Sequence, residues 1–103
     1  MEKLNFEFDA STDGQEIHSK VMIGVVGSGD LEVLIEPDVG LIRIQVTTSV
    51  DGMKSVWDAL MHRLFSAGDL PSMRIELNDF GATPGVVRLR IEQALEELGL
   101  TQY

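Results

Sequence analysis

The sequence predicts an α+β fold: a two-layer sandwich with a mostly antiparallel sheet of about five strands and two helices on one face. Three observations lead there. Four apolar or alternating segments precede residue 50, each with strand character. The apolar period then lengthens to that of a helix from Met53 onward. One further alternating segment separates this helix from a second. The predicted order is β-β-β-β-α-β-α.

Leu4, Phe6 and Phe8 alternate with Asn5, Glu7 and Asp9, the pattern of a half-buried strand. Residues 10–15 form a polar break. Lys20 to Val26 is rich in Val and Ile and reads as a strand buried in part on both faces. Gly27-Ser28-Gly29-Asp30 interrupts the apolar run, and Leu31 to Glu36 resumes it with Leu31, Val33 and Ile35 on one face. After the turn Pro37-Asp38-Val39-Gly40, Ile42, Ile44 and Val46 alternate with polar residues. The short links from the second strand to the fourth suggest an antiparallel meander.

Met53, Val56, Trp57, Leu60, Met61, Leu64 and Phe65 fall on one helical stripe, read as core with Trp57 as an anchor. Asp51 is placed to cap the start of this helix, and Gly68 to end it, with Pro71 just beyond. Met73, Ile75 and Leu77 mark the last strand. Thr83-Pro84 is a good helix start, because the hydroxyl can accept an early N–H and proline loses nothing at the first position. Val87, Ile91, Ala94, Leu95 and Leu98 make the second stripe, and Gly99 stands where a terminating glycine belongs.

The chain has 103 residues, which reads as one domain spanning 1–103. There are no cysteines, so disulfides, thiolate catalysis and cysteine-held metals are excluded, and any thiol chemistry must be imported. Seventeen acidic residues against eight basic ones argue against nucleic-acid binding. No stretch approaches the roughly 20 apolar residues needed to cross a membrane, and residues 1–9 lack a signal-peptide core. The expectation is a cytoplasmic protein.

Gly27-Ser28-Gly29-Asp30 is the most informative segment. By pattern alone it is a hairpin turn whose glycines supply unusual backbone angles. It also offers a primary hydroxyl with no side chains beside it, suited to a modifying enzyme that carries a bulky donor. A phosphate-cradle reading fails because the segment leads into a strand, not a helix. A hydrolase reading would pair Ser28 with His18 or His62, but Val26 stands where the nucleophile elbow needs glycine. Two isolated histidines do not make a zinc site. In the segment 78–85, turn and cap chemistry explains most residues but not Asp79 and Phe80, which are candidate contacts for a partner or for an attached prosthetic arm. Arg88 and Arg90 read as a solvated face, with Arg88 near Glu92. The competing functional class is a small α+β module that binds or regulates without a covalent cofactor.

Val-Gly-Ser-Gly-Asp-Leu-Glu-Val-Leu (Val26 to Leu34) and Asp-Phe-Gly-Ala-Thr-Pro-Gly-Val-Val-Arg-Leu-Arg (Asp79 to Arg90) resemble the malonate decarboxylase acyl carrier protein, or delta subunit, family. The resemblance extends to Leu-Asn-Phe-Glu-Phe (Leu4 to Phe8), and more remotely to the carrier subunit of citrate lyase. It implies a 2'-(5''-phosphoribosyl)-3'-dephospho-CoA group joined by a phosphodiester to Ser28, with Gly27, Gly29 and Asp30 completing the attachment loop. It implies a non-catalytic carrier that presents acetyl and malonyl thioesters to a transferase (alpha) subunit and a decarboxylase (beta, gamma) pair. A prosthetic-group transferase and a malonyl transacylase would be its further partners.

Overall fold

The structure, a computed structural model, describes residues 1–11, 16–24 and 30–100. In chain order it contains β1 (Glu2–Asp9), β2 (Val21–Ile23), β3 (Leu31–Pro37), β4 (Leu41–Thr48), α1 (Lys54–Phe65), β5 (Met73–Asp79) and α2 (Pro84–Glu97). The predicted α+β class and element order hold. The sheet is mixed, in the order β1-β4-β5-β3-β2, with β4 and β5 parallel and the other neighbours antiparallel.

Alternation decides which face is covered. Leu31, Val33 and Ile35 of β3, Ile42, Ile44 and Val46 of β4, and Met73, Ile75 and Leu77 of β5 are all buried. Each such side chain removed from water contributes roughly 1.5–3 kcal/mol. Trp57, Met61, Leu64 and Phe65 of α1 and Val87, Ile91, Ala94 and Leu95 of α2 join the same core. The opposite face is polar. One row across it runs Glu7, Arg43, Arg74, Glu36, so the two arginines that face each other are each flanked by a carboxylate. Like charges at opposed positions destabilise a sheet, and the flanking acids offset that.

Four expectations are corrected. The meander is not formed, because β5 lies between β3 and β4. The parallel β4–β5 pair requires a crossover, which α1 supplies. The short link after Pro37 therefore arches around the start of β5, where Met73 pairs with Pro37 on one side and Ile42 on the other. The Ser72 hydroxyl donates to the Asp38 carbonyl at 2.8 Å and ties the arch to that strand.

The second strand is shorter than its apolar run, spanning Val21–Ile23, while Val25 and Val26 lie outside the described residues. It sits at the sheet edge, so Met22 points away from the core and is exposed. Asp51 does not cap α1. The N-cap position is Met53, with no side-chain hydrogen bond, and Asp51 pairs with the N-terminal ammonium at 3.2 Å. The fourth correction, at Arg90, belongs to the functional site. Thr83 does cap α2, accepting from the Val86 N–H at 3.3 Å, and Pro84 opens the helix.

Candidate functional site

Ser28, Gly27 and Gly29 lie outside the described residues, but the two stems that carry them are defined. β2 and β3 pair antiparallel in the register Val21↔Ile35, Met22↔Leu34 and Ile23↔Val33. Residues 25–29 join these two antiparallel neighbours, and the described residues that flank them, Gly24 and Asp30, are each held in place.

The first root is Gly24, at φ +109. A Cβ built there would stand 2.1 Å from the Leu31 carbonyl oxygen, inside any permissible contact. Both the backbone angle and the close approach demand glycine. The second root is Asp30. Its Oδ1 accepts the Leu31 N–H at 2.7 Å and Arg90 Nε at 3.1 Å, while Oδ2 accepts Arg90 Nη2 at 3.2 Å. This is a two-pronged carboxylate–guanidinium pair, the geometry that gives arginine pairs their orientational specificity. The Leu31 N–H, and then the Arg90 guanidinium, hold the Asp30 carboxyl below the usual carboxylate range against an opposing effect of burial. Arg90 also donates to Gln93 Oε1 at 3.1 Å.

Arg90 is therefore not a solvated residue, as its helical position suggested. It fastens the end of the hairpin segment to α2, sixty positions away in sequence. Arg88 does behave as expected, with Nε on Glu92 Oε1 at 2.8 Å.

The second unusual segment meets the first. The Phe80 N–H donates to the Asp30 carbonyl at 3.0 Å, and Asp79 pairs with Leu31 in the β3–β5 register. Asp79 is only 4% exposed. Its Oδ2 accepts the Thr48 hydroxyl at 2.7 Å and its Oδ1 accepts the Ala82 N–H at 2.8 Å. Thr48 in turn accepts the Val50 N–H at 3.0 Å. Asp79 thus binds the ends of β4 and β5 to the loop before α2. That explains an aspartate at this position. Phe80, at 36% exposed, is the part of the pair that faces outward.

Beside this loop lies an apolar groove of about 280 Å³ between α1 and α2. Val50, Met53, Val56, Trp57, Leu60 and Val87 supply its apolar wall, and Asp79, Gly81 and Thr83 supply its rim. The stripe of α1 that reads as core is thus divided. Trp57 and Met61 are buried, but Met53 and Val56 open onto the groove. Helix periodicity alone carries no signal for that division, because it depends on how far the helices diverge.

His18 and His62 are exposed, each beside a carboxylate, Glu16 and Asp58. His62 instead sits edge-on to Phe8, with ring centroids 5.2 Å apart. Among the described residues no cluster of His, Asp or Glu is placed to hold a metal.

The geometry agrees with the kinship of the chain. The family model for "Malonate decarboxylase delta subunit (MdcD)", an ACP, matches residues 18–98. The malonate decarboxylase acyl carrier protein of Stutzerimonas stutzeri is 55% identical over 100 residues, covering 96% of this chain and 98% of the relative. That of Azotobacter vinelandii is 52% identical over 99 residues, covering 95% and 97%. A chain in the crystal structure of a Pseudomonas malonate decarboxylase hetero-tetramer in complex with malonate has a TM-score of 0.87 and 53% identity, covering 96% of this chain and 100% of that one. The chain belongs to the malonate decarboxylase delta-subunit, or acyl carrier protein, family.

Proposed function

We propose that this chain is the acyl carrier subunit of a malonate decarboxylase, a single non-catalytic domain that bears 2'-(5''-phosphoribosyl)-3'-dephospho-CoA on Ser28. The carrying observation is the doubly rooted hairpin, with Gly24 locked against Leu31 and Asp30 locked to Arg90 on either side of the Gly27-Ser28-Gly29 segment. Asp30 and Arg90 neutralise each other at the C-terminal root, so the root adds no net negative charge beside an attached phosphodiester, and the chain, having no cysteine, has no thiol of its own.

When bound, the group supplies the terminal thiol on which acetyl and malonyl are carried as thioesters. The work of this chain's residues is mechanical. Gly24 and the Asp30–Arg90 pair anchor the two ends of the connection that carries Ser28, one to β3 and one to α2. A tethered arm stays in the volume its partners share, which makes each delivery effectively intramolecular. Phe80 is exposed and bonded through its N–H to Asp30, which supports a role in touching a partner while the arm is presented.

The partners are the transferase (alpha) and decarboxylase (beta, gamma) subunits, with a prosthetic-group transferase and a malonyl transacylase acting during loading. The hetero-tetramer that contains the similar chain supports assembly with other subunits. The site of action is the cytoplasm, in keeping with the lack, among described residues, of a helix long and apolar enough to cross a membrane.

The test is the intact mass of the chain co-expressed with active loading enzymes. The wild type gains the mass of the group, and Ser28→Ala stays unmodified with an unchanged circular dichroism spectrum. Loading of Ser28→Ala would move the attachment elsewhere. An unmodified wild type would favour the non-covalent binding module.

A further inference from the structure

We propose that the groove between α1 and α2 is a resting site for the chain's own acyl arm, and that it accepts the acetylated arm while rejecting the malonylated one. The proposal rests on the carrier reading above and extends it to what the arm does between deliveries.

Position comes first. Ser28 is two residues from Asp30, which places it no more than about 7 Å away along the chain. The Asp30 carbonyl accepts the N–H of Phe80, and the neighbours of Phe80 on both sides, Asp79 and Gly81, line the groove. The rim is thus on the order of 15 Å from the attachment position, from chain spacings alone. An arm made of a phosphodiester, ribose units and pantetheine is longer than that when extended. The groove is within reach without any rearrangement of the sheet.

Chemistry comes second. The groove's volume of about 280 Å³ suits a narrow thread with a small acyl end rather than a bulky ligand. Its wall is apolar, and no lysine or arginine is among its lining residues. The charged group in the lining is the Asp79 carboxylate. An acetyl thioester is small and neutral, so it can enter. A malonyl thioester ends in a free carboxylate. It would have to shed its hydration in an apolar wall, with no cation to receive it and a second carboxylate nearby. The acyl exchange itself would then eject the arm, so that the form awaiting decarboxylation is the one presented to solvent and partners.

Exposure comes third. Met53 and Val56 leave part of their apolar surface open at the groove, at 38% and 37% exposed, although the stripe they belong to is otherwise core. A parked arm would cover that surface in the free chain.

Trp57 lines the groove and is the only tryptophan in the sequence, so it reports occupancy directly. The experiment compares Trp57 emission and the methyl resonances of Val56, Leu60 and Val87 in the full chain. Three forms are measured: apo, loaded and acetylated, and loaded and malonylated, with each state verified by intact mass. The expected result is a blue shift of Trp57 and displaced methyl resonances in the acetylated form, with the malonylated form returning toward apo. Val56→Glu should abolish the acetyl-dependent shifts while loading to full mass. Identical shifts in both acylated forms would overturn the discrimination. Unmoved groove resonances in chains of verified acetyl-loaded mass would overturn the resting site. The same holds if the groove responds only when another subunit is added, which would make it a protein-docking surface. A chain that gains no mass would bring down the carrier reading, and this proposal with it, before any spectrum is recorded.

Discussion

β3 is held at its two ends by the same local device, with different reach. Before its first residue, Asp30 accepts the Leu31 N–H at 2.7 Å and pairs with Arg90. After its last, Asp38 accepts the Val39 N–H at 2.7 Å and pairs with Arg43 at 3.1 Å. In both, an aspartate bonds the next backbone N–H and presents its remaining acceptor capacity to an arginine. Arg43 is five residues from Asp38, so its pair closes a turn. Arg90 is sixty residues from Asp30, so its pair joins a hairpin to a helix of the other layer. A glycine accompanies each: Gly40, with open space where a Cβ would go, and Gly24, where a Cβ would strike the Leu31 carbonyl. The Asp38 end only reverses the chain. The Asp30 end also ties the start of β3 to α2.

The sharpest way to break that contrast is to remove the supports beneath each end. Asp79→Ala leaves the Thr48 hydroxyl and the Ala82 N–H without their buried acceptor, and should destabilise the fold by about 2–3 kcal/mol. Ser72→Ala removes the hydroxyl that ties the arch at the other end and should cost about 1 kcal/mol. Urea unfolding monitored by Trp57 measures both. Asp79→Asn should recover part of the loss, since an amide oxygen can still accept from Ala82.

The paired glycines come next. Gly24→Ala combines positive φ with backbone overlap and should cost about 2 kcal/mol. Gly40→Ala meets only the backbone angle, at φ +93, and should cost about 1 kcal/mol. Equal losses in the same unfolding assay would show that the close approach at Leu31 is readily relaxed, and that the hairpin is not locked there.

The smallest effect is the dependence on pH. Neighbouring N–H groups and arginines lower the carboxyls of Asp30 and Asp38. Their stabilisation is complete above the unfolded-state value of about 3.9 and is lost as pH falls through the lower folded value. The stability difference between wild type and Asp30→Asn should therefore be largest near neutrality and close in acid below about pH 4. In a proton–nitrogen correlation spectrum at neutral pH, Asp30→Asn should shift residues of α2 around Arg90. Asp38→Asn should disturb only the turn up to Arg43. A disturbance of α2 by Asp38→Asn would erase the distinction between the two ends.

The sequence was most informative wherever a contact is local. The alternation in β1, β3, β4 and β5 selects the buried face by the two-residue period of a strand, and every inward position it marks in β3 is buried. Thr83 and Pro84 define the start of α2 because a cap reaches only its own first turn. The break at Gly27-Ser28-Gly29 separates one strand from the next because its composition interrupts an apolar run, and β2 and β3 do lie on either side of it. Strand order was not legible. A three-residue link between Pro37 and Leu41 has the length of a hairpin turn, and nothing within it says that β5 will sit between its strands.

Neither the Arg90 pair nor the Asp79 bridge was legible, for the same reason. Their partners are fixed by folding: Asp30 lies across the layers, and Thr48 is thirty-one residues away on a neighbouring strand. Met53 and Val56 lie on the helical stripe that the sequence marks as apolar, and only the placing of α1 beside α2 and the loop before it leaves them lining a groove. The sequence by itself determined the element order, the inward faces of the strands and the Thr83 cap of α2, because each depends on residues within a turn or a strand of one another. The tertiary structure alone decided the strand order, the Asp30–Arg90 root, the Asp79 bridge and the groove, because each depends on which distant surfaces the burial of a common apolar core brings into contact.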